Sequence, residues 1–206
     1  MLHIPADIVN HFVGIATGSP LDILRGERPV AKENAQLGFL ALFAPEDAGG
    51  VSLAERHALA VFFMCLHGAR DLAAFYAEGL IAHGAREDLQ AAVIEAARAN
   101  AASGPYGSYP PGPLSVEDTP GPSCTVADAV AKRLGRRLAA AFEHAHLLVF
   151  HPRDSIAASL QKLLDAGWTP PGIVTVSQLV TFLAYQIRLI HGLRAMAAAD
   201  SNGGAA

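Results

Sequence analysis

Apolar and polar residues alternate along this chain with the period of a helix almost from end to end. The stretch that organises it is Ser52 to Gly84, SLAERHALAVFFMCLHGARDLAAFYAEGLIAHG. Ser52 followed by Glu55 reads as a capping box. Every residue from Ala58 to Leu66 is apolar. A helix apolar on all sides is one that others surround. His67-Gly68 marks a stop, since Gly takes the left-handed conformation at low cost. A second helical pattern starts at Ala69, with Leu72, Phe75, Tyr76 and Leu80 on roughly one face, and closes at His83-Gly84. The pattern predicts a central helical hairpin with a tight joint.

The flanks read the same way. Residues 5–15 form a short amphipathic pattern through Ile8, Phe12 and Ile15. Ser19 with Asp22 opens another helix, and Pro29 suits the first position of a third that runs to about Ala44. Residues 45–50 read as a loop. These segments make residues 1–50 a helical arm, and residues 51–102 the core hairpin with an Ala-rich helix after it. Residues 103–124 hold six prolines and four glycines and cannot build a helix or a central strand. They are either a surface excursion or a lid in which Tyr106 and Tyr109 fold over a pocket. Thr125 with Asp128 opens a long helix expected to reach Phe150, broken by His151-Pro152. A short helix over 155–166 and a long one from Thr169-Pro170 to about Ala199 complete the closing helices of 125–199. The tail, 200–206, reads as disordered. No run of alternating strand residues occurs, so the fold class expected is all-α in one domain.

Composition sharpens this picture. The 206 residues are 51% hydrophobic and 17% charged, with mean hydropathy +0.29. So apolar a chain is expected to hide surface in a homo-oligomer. A net charge of −4 and no dense basic run argue against nucleic acid. The start lacks a signal-peptide pattern. The apolar segment 173–193 carries Gln178, Gln186, Arg188 and His191, which fits a buried helix better than a bilayer span. Two cysteines make no disulfide framework, and a reducing cytoplasm is expected.

The central stretch resembles the core of the AhpD-like (alkylhydroperoxidase D / carboxymuconolactone decarboxylase) family. The arm SPLDILR … PEDAGG-SLAER and the closing LQKLLDAGWTPPGIVTVSQLVTFLAYQIRLIHGLRAM are similar to its approach and closing segments, so the likeness touches about Pro20 to Met196. It implies an AhpD-like helical bundle. In redox members a Glu lies in the first helix, a Cys-x-x-Cys follows the joint and a His comes one turn later. Set on the Leu66-His67-Gly68 joint, these positions hold His57, Ala69, Leu72 and Tyr76. With no sulfur at 69 and 72, no thiol–disulfide couple forms there.

The candidate chemistry follows from what remains. His57 has the charge change near neutrality that a base needs. Tyr76 supplies a hydrogen-bond donor beside it, whereas Glu78 turns about 200° away. Cys65 is the nearest sulfur, though Phe63, Met64 and Leu66 around it favour a buried, inert thiol. Cys124 reads as an incidental loop thiol. The cations Lys132, Arg133, Arg136 and Arg137 form either a solvated face or partners for carboxylates or an anion. His144 and His146 fall on opposite sides of a helix, wrong for one metal ion, and neither metal nor cofactor is expected.

Four functions fit. The first is a non-redox member of the family that binds a small apolar or aromatic molecule between hairpin and closing helix, lined by His57, Tyr76, Tyr185 and Arg188. The second is a decarboxylase or isomerase with His57 as base and Arg188 on a carboxylate. The third is a peroxidase dependent on Cys65. The last is a partner subunit for a cysteine-bearing paralogue.

Overall fold

A computed structural model describes residues 4–203. Among the described residues there are ten α-helices and two 3₁₀ turns and no strand, so the fold is all-α. The helices are α1 (Ile8–Val13), α2 (Pro20–Gly26), α3 (Pro29–Phe43), α4 (Leu53–Leu66), α5 (Arg70–Ala82), α6 (Glu87–Ala99), α7 (Asp128–Leu134), α8 (Arg136–Phe150), α9 (Ala157–Asp165) and α10 (Pro170–Gly203). They divide into two compact units, residues 47–181 and residues 4–46 with 182–203.

In the unit of residues 47–181, α4 lies at the centre and α5, α6 and α8 all pack on it. Ser52 Oγ accepts the Glu55 amide, and the Glu55 carboxylate accepts the Ser52 amide at 2.9 Å, so the capping box starts the helix. Every residue from Arg56 to Met64 is buried, and so is Leu66. Each of the large apolar side chains contributes about 1.5–3 kcal/mol by leaving water. Phe62 also stacks on Phe142 of α8, with ring centroids 4.2 Å apart and planes 11° from parallel. Gly68, at φ +66°, ends the helix, and the Ala69 amide returns to the Met64 carbonyl.

Arg137 ties the ends of these helices together. Its guanidinium donates to Glu55 at 3.0 Å, to the Gly50 carbonyl at 2.8 Å and to the Gly167 carbonyl at 2.9 Å. The Trp168 ring lies 4.0 Å beneath it, and the Trp168 indole N–H donates to the Arg137 carbonyl. Arg133 pairs with Glu95, and Arg136 donates to the Asp165 carbonyl. Three of the four clustered cations thus hold protein groups.

The expected single helix from Thr125 to Phe150 is two helices. Gly135 sits at φ +81° and ψ 154°, a conformation open to glycine and costly for other residues, and it separates α7 from α8. Periodicity carries on across such a break because both helices bury one apolar stripe. In the second unit, Asp7 caps α1 and pairs with Arg25 at 2.8 Å, while Gln36 of α3 accepts from the Ile8 amide and donates to the Pro5 carbonyl. The final helix runs four residues past Ala199, to Gly203; residues 204–206 of the expected tail lie outside the described residues. By length and composition, α10 is the one helix among the described residues long and apolar enough to cross a membrane.

Gly79 of α5 packs against the His57 ring of α4. A Cβ there would stand 2.0–2.2 Å from the His57 ring, which is itself fully buried. In an exposed helix Gly→Ala gains about 1 kcal/mol; here the sign reverses. Gly79→Ala is expected to cost about 2–3 kcal/mol in urea denaturation, and most of that cost vanishes when His57 is also changed to Ala.

Candidate functional site

The proline- and glycine-rich segment is folded down onto α8. It holds a 3₁₀ turn, Pro113–Glu117, and Gly107 and Thr119 pair their backbones across it. The residues just after α8 clamp it. The His151 ring donates from Nε2 to the Pro122 carbonyl and from Nδ1 to the Asp154 carboxylate, both at 2.9 Å. The other Asp154 oxygen accepts the Ser108 amide at 3.1 Å. The Asp154 carboxyl is held below the usual carboxylate range, first by the His151 bond and then by that amide. Arg153 donates to the Glu117 carbonyl and lies 4.2 Å over the Tyr109 ring, and Tyr106 packs on His151.

Under this roof is a cavity of about 450 Å³. Its floor is α8, through Ala140, Glu143, His144, His146 and Leu147; the loop side carries Asp118, Pro120 and Cys124, and Lys162 of α9 stands on the wall. Volume and lining suit a small organic molecule. Tyr106 and Tyr109 serve in the roof, one on His151 and the other on Arg153.

His144 is the residue here with chemistry to offer. Its side chain is 4% exposed. Ser177 of α10 gives its single hydroxyl proton to the Ile173 carbonyl at 2.9 Å. Toward His144, at 3.0 Å, it can therefore only accept, so His144 Nε2 carries the proton. That leaves a lone pair on Nδ1, which is buried and has no hydrogen-bond partner among the described residues. Burial lowers the His144 pKa, keeping the ring neutral. His146 is likewise lowered by burial first and by His151 second, while a bond to the Asn100 backbone opposes the shift. The two histidines diverge, one bonding toward α10 and the other toward Asn100, yet both line the cavity. Among the described residues no three His, Cys, Asp or Glu side chains are grouped to hold a metal ion. The Cys124 thiol is pushed up to about 12 by burial and by Glu143, so it stays protonated.

The residues singled out from the sequence lie elsewhere. His57 and Tyr76 do come together, fully buried, with ring centroids 6.3 Å apart. His57 Nδ1 donates to the Leu53 carbonyl at 2.8 Å and the ring is pressed on Gly79. Burial depresses its pKa to about 4, against the Leu53 bond and aided by His83 and Arg56. Cys65 is half-buried and its pKa is raised by burial. Tyr185, 44% exposed, and Arg188, which donates to the Ala184 carbonyl, belong to the other unit. None of these five lines the cavity. The signal for the cavity was the crowding of His144, His146 and His151 into about two helical turns beside a loop too rich in proline to be helical.

Comparison with known protein families, with curated proteins and with solved structures finds no match.

Two outcomes follow from these geometries. A histidine whose folded pKa is depressed lets the unfolded chain take up a proton first. Its stabilising effect is present above the unfolded value, about 6.5, and is lost as pH falls toward 4. His57 alone accounts for about 3 kcal/mol across that interval, and His144 and His146 act in the same direction. Urea midpoints at pH 7.5 and 4.5 should show the loss, and His57→Gln should lose markedly less. Asp154→Ala should release the roof, seen as faster hydrogen exchange at the Ser108 and Tyr106 amides with the α4 amides unchanged.

Proposed function

We propose that this protein binds a small, partly apolar molecule in the cavity roofed by residues 104–124, without thiol redox chemistry. The observation that carries the reading is a ligand-sized cavity of about 450 Å³ whose lining sets Ala140, Leu147 and Pro120 beside Glu143, His144 and His146. The absence of sulfur at Ala69 and Leu72 supports the non-redox part, as do two thiols whose pKa values are raised.

The AhpD-like likeness belongs to this proposal. Its support is the α4–α5 joint at Leu66-His67-Gly68 and the fully buried, close pair of His57 and Tyr76 at the family's polar positions. A base role for His57 draws little support from a ring that burial keeps neutral and that Gly79 hems in. The peroxidase reading draws little from Cys65 with its raised pKa. The reading includes a cytoplasmic homo-oligomer. Exposed Ile23, Val30 and Leu37 in the α2–α3 region support self-association, and unpaired cysteines suit a reducing compartment.

Ala140 points the test at the cavity. Fragments that raise the melting temperature of the wild type should leave Ala140→Phe unaffected, because the added ring fills the space. Fragments that bind both proteins equally would place the binding site elsewhere and end this reading.

A further inference from the structure

Three side chains in the turn after α8 fasten the roof, and His151 is the one whose type changes charge near neutrality. Its ring, itself buried, donates from Nε2 to the Pro122 carbonyl and from Nδ1 to one oxygen of Asp154, both at 2.9 Å. The other Asp154 oxygen accepts the Ser108 amide at 3.1 Å. Arg153 donates to the Glu117 carbonyl at 3.1 Å, and an arginine keeps its charge at any working pH. A carbonyl oxygen only accepts. So does Asp154, whose carboxyl the His151 bond and then the Ser108 amide hold below the usual carboxylate range. An imidazole with a single N–H can serve one of these two partners and turns a lone pair on the other. With both bonds made, the ring carries both protons and is a cation.

We propose that this turn is a proton-operated latch: the His151 imidazolium holds the roof down over the cavity, and the neutral ring lets it lift. Closing takes up a proton and opening releases one, so raising the pH opens the roof. The groups facing the ring fit this. On its own turn, Asp154 supplies the charge partner and Arg153 the fixed clamp. On α8, His146 lies with its ring centroid 6.1 Å away and stays neutral, lowered by burial first and by His151 second, so it does not compete for the proton. From the roof, the Tyr106 ring packs on His151 at 5.2 Å. In the shared cavity lining Glu143 and Asp118 favour the cation and Lys162 opposes it. Acid breaks the latch from the other side, once Asp154 takes up a proton, and its depressed pKa places that below the usual carboxylate range. The depressed histidines of the core gain stability as pH rises. Global unfolding and roof opening therefore respond to alkali with opposite signs, and one cannot pass for the other. That ligand entry follows the latch rests on the cavity being the binding site; the latch itself does not.

Amide exchange on the full chain, corrected for its intrinsic rise with pH, reads the latch without any ligand. Protection at Gly107 and Ser108 should fall about tenfold between pH values of about 6 and about 8.5, the loss of one charged hydrogen bond, while the α4 amides keep theirs. Over the same interval ¹H–¹⁵N correlation should show the His151 ring passing from two protonated nitrogens to one. Asp154→Asn is the sharpest variant. Its Oδ1 can still accept from Ser108, and its Nδ2 can donate to Nδ1 of a neutral His151, which keeps its Nε2–H for Pro122. The roof should then stay protected at both pH values. His151→Gln, which has no proton to lose, should lack the pH response. If His151→Gln fails to fold, the wild-type profile and Asp154→Asn carry the test. A wild-type roof equally protected at both pH values, a roof that opens while His151 keeps both protons, or an Asp154→Asn roof that still opens in alkali would overturn the latch. If roof protection follows the His151 proton and no fragment binds, the latch stands and the binding reading falls. If fragments bind in a way that Ala140→Phe blocks while roof protection ignores pH, the latch falls and the binding reading stands.

Discussion

A helix without a polar face has to be enclosed on every side, and α4 imposes that demand on residues 47–181. The nine residues from Arg56 to Met64 are all buried, two of them polar. Both polar ones are accommodated by backbone: Arg56 donates to the Val51 and Ala48 carbonyls, and His57 to the Leu53 carbonyl. With α5, α6 and α8 placed around α4, the remaining helices fall where chain length and breakers allow. Arg137 then closes the rim by joining the loop before α4, the start of α8 and the turn before α10.

The side of α8 away from α4 follows from the same demand. With Leu138, Phe142 and Ala145 turned into the core, residues 140, 143, 144 and 147 are left to line a space that no helix fills. The chain covers it with its proline- and glycine-rich segment. Proline keeps that cover from coiling into an α-helix, and some of its amides and carbonyls find partners in His151, Arg153 and Asp154 while Gly107 and Thr119 pair with each other. A roof held by side chains from one short turn is easier to lift than one built into a helix bundle.

Much of the fold was legible because apolar periodicity and capping residues are local signals. Ser52, Pro29, Gly68 and Gly167 each mark a helix boundary within a residue or two of where it lies. Gly135 was not read as a break, since a lone glycine in a helical pattern is ambiguous until its φ is known. The site was much less legible. A family-guided reading looked to His57 and Tyr76, which the structure brings together as tightly packed core. The residues that line the cavity are assembled by a loop folding back across some forty positions, as in the Ser108–Asp154 bond, and no short-range pattern announces that contact. His144 and His146 looked mutually exclusive on a helical wheel; a concave site can draw on both because it wraps around the helix instead of touching one line along it.

The bond from Ser177 to its own helix has a reach beyond that helix. A serine hydroxyl has one proton, and α10 takes it at Ile173. The imidazole on α8 must then present its donor to Ser177, and its other nitrogen keeps a bare electron pair within the packed interior. The tautomer of a side chain on α8 is thus written by the backbone of a neighbouring helix, thirty-three residues away in sequence. A serine moved by one position along α10 would point elsewhere on the helical circumference, and the imidazole would be at liberty to turn its other face. Helical register here acts as a memory for the location of a single hydrogen atom.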